Sequence, residues 1–322
     1  MRIRLTWMIL ATTFSASAAV AACGGAEEPQ PEYPPRANGE TTVTVERDTT
    51  PPEPENGPAA PQVQVVAGTN SPIDGAAPAL RVTSPRNGAK IRRGNVMIQA
   101  ALTNWDLSPE GNHVHVILDN EPYIAVRDLS HPIDLNAIVQ QNLGHELAPG
   151  SHVVRMFPSR GHHESVKTGD VFAAFTFVYQ TPTAGFSFDA RAPLLTFSRP
   201  KGCNVAGQRV LLDFYLSNVT DLGAAGHRVR YSIDGTVNGE ITQWVPHYIE
   251  NLPAGDHTVQ LTLLGPDGQP VAGPFNDTTR TIQVAASCAP PAAAPAAGAA
   301  TPTAAGATAP AAAAPAAAEH AH

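Results

Sequence analysis

The sequence predicts an all-β protein with two tandem β-sandwich domains, flanked by segments without regular structure. One observation is the alternation of apolar and polar residues in several short runs, which is the period of a half-buried strand. A second is internal repetition, because residues 113–119 have an echo at 228–234 and further matching blocks precede and follow both in the same order. Each of these two strands ends in Asp followed by Asn or Gly, a turn pair. We therefore predict duplication of a unit of roughly 90 to 100 residues, the size of one sandwich.

The chain begins with the pattern of an export signal over residues 1–22. It has a basic start, an apolar body and small residues before Cys23. The Val-Ala-Ala-Cys sequence at 20–23 resembles a bacterial lipobox, which implies acylation of Cys23, such as with palmitate, and attachment to a membrane. Gly24, rather than Asp, follows the cysteine and favours the outer membrane of the cell envelope. The alternative is an ordinary signal peptide in which the cysteine is a coincidence.

Three segments have compositions that favour linkers or disorder. Residues 23–79 are rich in Pro, Glu, Gly and Thr, and we expect a disordered linker, with short strands at 42–45 and 63–66 as alternatives. Residues 182–189 would join the two domains. Residues 289–322 consist mostly of Ala and Pro, and because Pro recurs too often for a long helix we expect disorder there as well.

The charge balance excludes one class of partner. The formal net charge is −8, the pI is about 5.8, and no run of Lys or Arg stands out. Binding to nucleic acid through a basic patch is therefore not expected.

Two cysteines remain once Cys23 is assigned to lipidation. Cys203 opens the second domain and Cys288 follows its last predicted strand. An exported protein occupies a compartment that permits disulfides, so we predict a bond that joins the two ends of that domain.

Six strands are predicted in each domain. In the first domain, residues 80–181, they lie near 80–83, 96–102, 113–119, 123–126, 152–157 and 171–179. In the second domain, residues 190–288, they lie near 194–198, 210–217, 228–234, 243–249, 257–264 and 279–284. The first copy is longer by about ten residues, and there Asp134 is placed to cap a short helix that Gly144 ends.

Histidines concentrate in the first domain, where seven of the twelve lie between residues 113 and 163. His113 and His115 point the same way from one strand and can offer two imidazoles to one Zn²⁺ or Cu²⁺ ion. A third ligand would come from His162 or His163, with Glu164 to complete the set, if their loop folds over the strand.

Two other interpretations of His113 and His115 stay open. They would lie on a solvated strand face, as Arg228 and Arg230 are expected to do in the echo, or they would contact a protein or sugar partner. The solvated face is the favoured expectation.

His152 and His257 occupy the same place in the two copies, after a Gly at the start of an apolar strand. We expect them to pack or form hydrogen bonds at the edge of each sandwich. Neither copy contains a nucleophile elbow, a phosphate-binding Gly loop, a His-Glu-x-x-His pattern or a paired set of carboxylates. The expectation is therefore a protein that is not an enzyme.

The repeat resembles bacterial immunoglobulin-like domains of cell-envelope proteins, through the Leu-x-x-Gly-x-His-x-Val pattern at 147–154 and 252–259. The first copy is also similar to a family of small periplasmic domains of unknown function with a Gly-His-His-His strand. Only His113 and His115 of that strand are matched, and Asn112 separates the first of them from the Gly. The resemblance implies an envelope lipoprotein that acts as a binding, adhesive or spacer module, with a protein or polysaccharide partner. The alternative is a periplasmic protein that binds Zn or Cu through the histidines of the first domain.

Overall fold

The structure is a computed structural model that describes residues 61–168 and 171–289. Within these ranges the chain is nearly all β and forms two β-sandwiches, as predicted. Lipidation at Cys23, the signal peptide, most of the predicted linker and nearly all of the C-terminal tail lie outside the described residues. The described part contains no helix with the length and hydropathy that crossing a bilayer requires.

The first sandwich is built from the elements between residues 79 and 179. In chain order, after a strand β1 (Gln64–Ala67), they are β2 (Ala79–Ser84), β3 (Ala89–Ile91), β4 (Met97–Thr103), β5 (His113–Leu118), β6 (Ile124–Val126), β7 (Ile133–Asp134), α1 (Leu135–Leu143), β8 (Gly150–Ser159) and β9 (Ala173–Tyr179). Strands β2, β4 and β7 form one sheet, and β3, β9, β8, β5 and β6 form the other in that order. The apolar face of β5, with Val114, Val116 and Leu118, lies in the core between them.

The second sandwich repeats this plan. Its elements are β10 (Leu194–Arg199), β11 (Cys203–Val205), β12 (Val210–Ser217), β13 (Arg228–Ile233), β14 (Val237–Ile241), β15 (His247–Glu250), β16 (Gly255–Leu264) and β17 (Asp277–Ala285). One sheet has the order β11, β17, β16, β13 and β14, which corresponds strand for strand to the larger sheet of the first sandwich. The other has the order β1, β15, β12 and β10.

The extra residues of the first domain form the helix α1, whereas the short strand β7 pairs with β4 as β15 pairs with β12 in the second sandwich. The Asp134 side chain caps the helix by accepting a hydrogen bond from the backbone N–H of Ala137 at 3.0 Å. Gly144 ends it in the left-handed conformation, with φ of 79°. The predicted cap and stop are both confirmed.

Strand β1 lies in the segment that composition assigned to a disordered linker, so over residues 64–67 that expectation is wrong and the alternative of a short strand near 63–66 is confirmed. It pairs antiparallel with β15, with Val65 opposite Ile249, and thus becomes an edge strand of the second sandwich. Val65 packs against the core of that sandwich. The burial of a few valines on an open sheet edge is a tertiary effect, which composition does not report.

The remaining differences from the predicted strands concern short elements. Strands β3, β7, β11 and β14 were not predicted, because two to five residues carry too little periodicity. Strand β15 begins at His247, four residues later than expected. The predicted disulfide between Cys203 and Cys288 is present and joins the start of β11 to the segment after β17.

The two sandwiches share a buried interface. Ile117 on the second face of β5 packs with Phe157 and with Tyr215 of the second sandwich. The Arg155 guanidinium lies 3.9 Å from the ring centroid of Phe275, again across the interface. The large sheet of the first sandwich is therefore covered on both faces.

Candidate metal centre

The histidine face of β5 is buried. His113 and His115 both have 0% of their surface exposed, so the expectation of a solvated face is wrong. The alternation along β5 is correct, but the face that carries the histidines meets the second sandwich instead of water. All six residues of the strand are buried as a result.

Three imidazoles converge at this face. The Nε2 atom of His113 lies 3.0 Å from Nε2 of His115 and 3.0 Å from Nδ1 of His163. One ligand nitrogen from each of the three side chains falls within 4.8 Å of the others. His113 and His115 come together because residues two apart on a strand share a face.

His163 reaches the pair through a tight turn after β8. The His163 N–H donates to the carbonyl of Arg160 at 2.8 Å, and the Arg160 N–H donates to the carbonyl of Glu164 at 2.9 Å. His163 itself has φ of 69°, a left-handed conformation that is uncommon for a residue other than glycine. Such residues concentrate at functional sites, where the surroundings hold them in place.

The turn can fold over β5 because Gly161 lacks a side chain. A Cβ atom at Gly161 would lie 3.2 Å from the Cα of Gly111, which is tighter than ordinary contact. Glycine here allows the backbone of the turn to approach the segment that leads into β5.

The segment after β1 anchors the same turn from the other side. The Ser71 backbone N–H and hydroxyl both donate to the Glu164 carboxylate, at 2.8 and 2.6 Å. The Arg160 guanidinium donates to the carbonyl of Ser71 at 2.8 Å. Burial tends to raise the pKa of Glu164, but the hydrogen bonds from Ser71 and His162 outweigh it and lower the pKa.

His162, the other candidate for the third ligand, does not join the cluster. Its Nε2 atom lies 2.9 Å from the Glu164 carboxylate, and 57% of its side chain is exposed. The Glu164 carboxylate thus forms its hydrogen bonds with Ser71 and His162. The structure brings together His113, His115 and His163, and leaves His162 and Glu164 outside.

In His113 and His115, the ring nitrogen that points away from the cluster is Nδ1, called here the outer nitrogen. Each outer nitrogen lies within hydrogen-bond distance of an oxygen. Nδ1 of His113 lies 2.9 Å from the carbonyl oxygen of Gly111, which only accepts, so this nitrogen carries the proton and Nε2 holds a lone pair. Nδ1 of His115 lies 3.0 Å from the hydroxyl of Ser198, on β10 of the second sandwich. This is the arrangement that metal-ligating histidines have, with the outer N–H held by an oxygen.

An aromatic ring fixes the plane of His115. The Tyr123 ring stacks on it with 3.6 Å between centroids and 10° between planes. The Lys201 ammonium donates to the carbonyl of Tyr123 at 2.7 Å and lies 3.8 Å from the centroid of its ring. Burial raises the pKa of the Tyr123 hydroxyl to about 12, so the phenol is neutral.

The three imidazoles are neutral at physiological pH. Burial, followed by the nearby cations of Arg199 and Lys201, lowers the pKa of His163 to about 3. Burial also lowers the pKa of His113 to about 4 and that of His115 well below its usual value. Neutral imidazole is the form that binds metal ions.

His152 and His257 have a different environment, identical in the two copies. Nδ1 of His152 lies 2.7 Å from the Asp119 carboxylate and Nε2 lies 2.9 Å from the carbonyl of Ala148. Nδ1 of His257 is likewise 2.7 Å from the Asp234 carboxylate. Both nitrogens of each ring face acceptors, which fits the hydrogen-bonding role predicted at the sandwich edge.

Sequence reasoning missed the residues that surround the cluster. Ser198, Lys201 and Ser71 come from parts of the chain that carry no ligand or catalytic motif and are far from β5 in sequence. Ser198 lies 83 residues from His115, and no local pattern links them. Contacts of this kind depend on how the sandwiches dock.

The fold and the site define a protein of two tandem β-sandwiches with a buried cluster of three histidines at their junction. Comparison with protein families found no match, and comparison with curated proteins found none either.

Solved structures with low similarity include the fibronectin(III)-like modules of Clostridium thermocellum CbhA, at 12% identity and a TM-score of 0.24, with 64% of this chain and 95% of that chain covered. They also include the mixed-linkage glucan utilization protein SGBP-B of Bacteroides ovatus, at 13% identity and a TM-score of 0.20, with 64% and 47% covered. The FN1–FN3 domains of chicken CNTN1 match at 12% identity and a TM-score of 0.19, with 65% and 66% covered. At these values the resemblance says nothing about what this chain binds.

Proposed function

We propose that the first sandwich binds one transition-metal ion, Zn²⁺ or Cu²⁺, through His113, His115 and His163. The observation that carries the proposal is the convergence of one nitrogen from each imidazole within 4.8 Å. A tetrahedral ion about 2.0–2.1 Å from each nitrogen would place the nitrogens about 3.3 Å apart, close to the two observed separations of 3.0 Å.

The hydrogen-bonding capacity of His113 supports the same conclusion. Its Nε2 atom holds a single lone pair, yet it faces a nitrogen of His115 and a nitrogen of His163 at equal distance. One lone pair satisfies one good donor, so the three rings cannot all be satisfied by one another. A metal ion accepts a lone pair from each ring and removes the conflict.

Burial favours a binding role over catalysis. Because two of the three ligands have no exposed surface, little room remains beside them for a substrate. Three protein ligands leave the fourth position of a tetrahedral ion to a water molecule, as in catalytic zinc sites, but burial leaves little space for a substrate to reach that position. We therefore assign metal binding and no enzymatic activity.

The decisive measurement is calorimetric titration of the full-length chain with Zn²⁺ and with Cu²⁺. His320 and His322 are replaced by alanine in every sample, so that the tail adds no ligand. We expect micromolar or tighter binding of a single ion, weakened by about 100-fold or more in His163→Ala. The matched control is His162→Ala, the adjacent histidine on the same turn, which should bind like the parent.

Two results would overturn the proposal. One is the absence of binding by the parent chain. The other is equal binding by the parent and His163→Ala, which would place any bound ion elsewhere. His163 is the best variant because it lies on a turn and is only partly buried, so its replacement leaves the interface between the sandwiches intact.

A second role, as a spacer or adhesive module with an envelope protein or polysaccharide as partner, is favoured by the joint between the sandwiches. Lys167 of the first and Asp213 of the second form a buried ion pair with 2.5 Å between Nζ and Oδ1. Arg280 donates to the carbonyl of Glu121 at 3.0 Å across the same interface. A rigid interface would hold the two domains at a fixed distance and orientation, as a spacer requires. Residual dipolar couplings that fit one alignment tensor for both sandwiches would support this role, and two tensors would contradict it.

We also propose that the chain is a lipoprotein of the cell envelope, anchored at Cys23. The support is the export signal and the Val-Ala-Ala-Cys sequence at its end. Metabolic labelling with a palmitate analogue in a bacterial host should mark the parent chain but not Cys23→Ser. Labelling of both, or of neither, would refute the anchor.

A further inference from the structure

The second sandwich contributes to the histidine cluster through Ser198. Its hydroxyl lies 3.0 Å from Nδ1 of His115, and both residues have no exposed surface. Water cannot replace this contact, because neither group is accessible. His115 therefore depends on the second sandwich for the partner of its outer nitrogen.

The partner of Nδ1 influences which of the two nitrogens of His115 carries the proton. When the Ser198 oxygen accepts the Nδ1 proton, Nε2 is left with a lone pair directed at His113 and His163. Without an acceptor at Nδ1, the opposite tautomer places a proton on Nε2, where a metal ion would bind. A metal ion at Nε2 requires the proton to be on Nδ1, and the Ser198 oxygen is positioned to accept a hydrogen bond from it in that form.

The second sandwich also holds the ring on which His115 stacks. Lys201 binds the carbonyl of Tyr123 and lies over its ring, and Tyr123 stacks on His115. The second domain therefore acts on His115 in two ways. Ser198 contacts the edge of the ring directly, and Lys201 holds Tyr123, which contacts the face of the ring.

We propose that Ser198 is a positioning residue for His115, so that the metal site of the first sandwich is complete only when the second sandwich is docked. This inference rests on the proposed function of the cluster. Because coupling between two equilibria is reciprocal, a bound ion in turn strengthens the docking of the sandwiches. The ion thus acts as a link between the two domains, although all three of its ligands belong to the first.

The test compares Ser198→Ala with the parent in the full-length chain with His320 and His322 replaced. We expect Zn²⁺ and Cu²⁺ to bind about 10 to 100 times more weakly, which is the usual loss when the partner of a ligating histidine is removed. The matched control is Thr262→Ala, which removes a buried hydroxyl of the second sandwich that donates to Asp277 at 3.0 Å. This control should leave the affinity within about twofold of the parent.

A spectroscopic measurement separates positioning from general loss of structure. The electron paramagnetic resonance spectrum of bound Cu²⁺ reports the number and geometry of its nitrogen ligands. We expect a changed spectrum in Ser198→Ala and an unchanged spectrum in Thr262→Ala. The near-ultraviolet circular dichroism of both variants without metal should match that of the parent.

The outcomes distinguish this inference from the proposed function. If the parent binds no ion, the proposed function fails and the inference fails with it. If the parent binds an ion and Ser198→Ala binds it with the same affinity and spectrum, only the inference is overturned. A loss of affinity shared equally by Thr262→Ala would also overturn it, since the effect would then come from weakened packing of the second sandwich.

Discussion

Strands β5 and β13 occupy the same position in the two sandwiches but present their second faces to different surroundings. On β5 this face carries His113 and His115, both fully buried. On β13 it carries Arg228 and Arg230, of which Arg230 is exposed and Arg228 pairs with the Glu240 carboxylate at 2.8 Å. The same strand pattern therefore yields a fully buried cluster in one copy and a partly exposed face in the other. The difference comes from the docking of the sandwiches.

The largest effect is expected from giving β5 the residue type of β13. His115→Arg would place a guanidinium at a site with no exposed surface and no carboxylate partner. We expect it to lower the free energy of unfolding by about 4 to 5 kcal/mol, or to separate the domains. Urea denaturation followed by fluorescence measures this loss.

The reverse exchange on β13 is the control. Arg230→His changes a solvated position and should alter the free energy of unfolding by less than about 0.5 kcal/mol. Equal losses for the two exchanges would mean that burial of the β5 face does not distinguish the copies.

The disulfide offers a second comparison, because it belongs to the second sandwich alone among the described residues. Replacement of both Cys203 and Cys288 by serine should destabilise that sandwich by about 3 kcal/mol. Amide hydrogen exchange should accelerate in β13 and stay nearly unchanged in β5. Acceleration of the same size in both strands would show that the sandwiches unfold as one cooperative unit.

The histidine and aspartate pairs are the feature that the copies share. Truncation by His257→Ala removes a charge-assisted hydrogen bond to Asp234 and a bond to the carbonyl of Pro253. We expect a loss of about 2 kcal/mol in the free energy of unfolding, and a similar loss for His152→Ala. Thermal denaturation of the two variants side by side measures it. A large loss in only one of them would contradict the equivalence of the pairs.

The pH dependence of this loss is the smallest expected effect. Burial acts to lower the pKa of His257, but the hydrogen bond to Asp234 outweighs it and raises the pKa above the unfolded value of 6.5. Stabilisation by a group with a raised pKa is fully present below the unfolded pKa and is lost as the pH rises through the folded one. The difference in stability between the parent and His257→Ala should therefore be fully present below about pH 6.5 and shrink as the pH rises above it.

Asp234→Asn is the control for this titration. This substitution removes the carboxylate that raises the pKa of His257. The loss of stability that the parent shows as the pH rises above about 6.5 should therefore be absent in the variant. A decline of equal size in Asp234→Asn would assign the titration to another group.

Much of the architecture followed from local patterns. The two domains, most of their long strands, the helix cap at Asp134 and the disulfide all rest on periodicity, turn pairs and cysteine positions. The short strands did not follow, since two to five residues have no reliable period. Strand β1 was assigned to a linker because its partner, β15, lies in the other half of the chain.

The candidate site was predicted only in part. The spacing of His113 and His115 placed two imidazoles on one face, because side chains alternate along a strand. The choice of His163 over His162 depended on a turn geometry with φ of 69° at His163, which the sequence does not specify.

The sequence by itself determined that the chain contains two related β domains, with paired histidines on one strand and a cysteine pair in the second copy. Only the tertiary structure decided that the histidine face is buried, that His163 completes the cluster and that Ser198 partners His115. The physical reason is that alternation assigns residues to the two faces of a strand but does not say what covers each face. That depends on a surface contributed by residues 83 positions away along the chain.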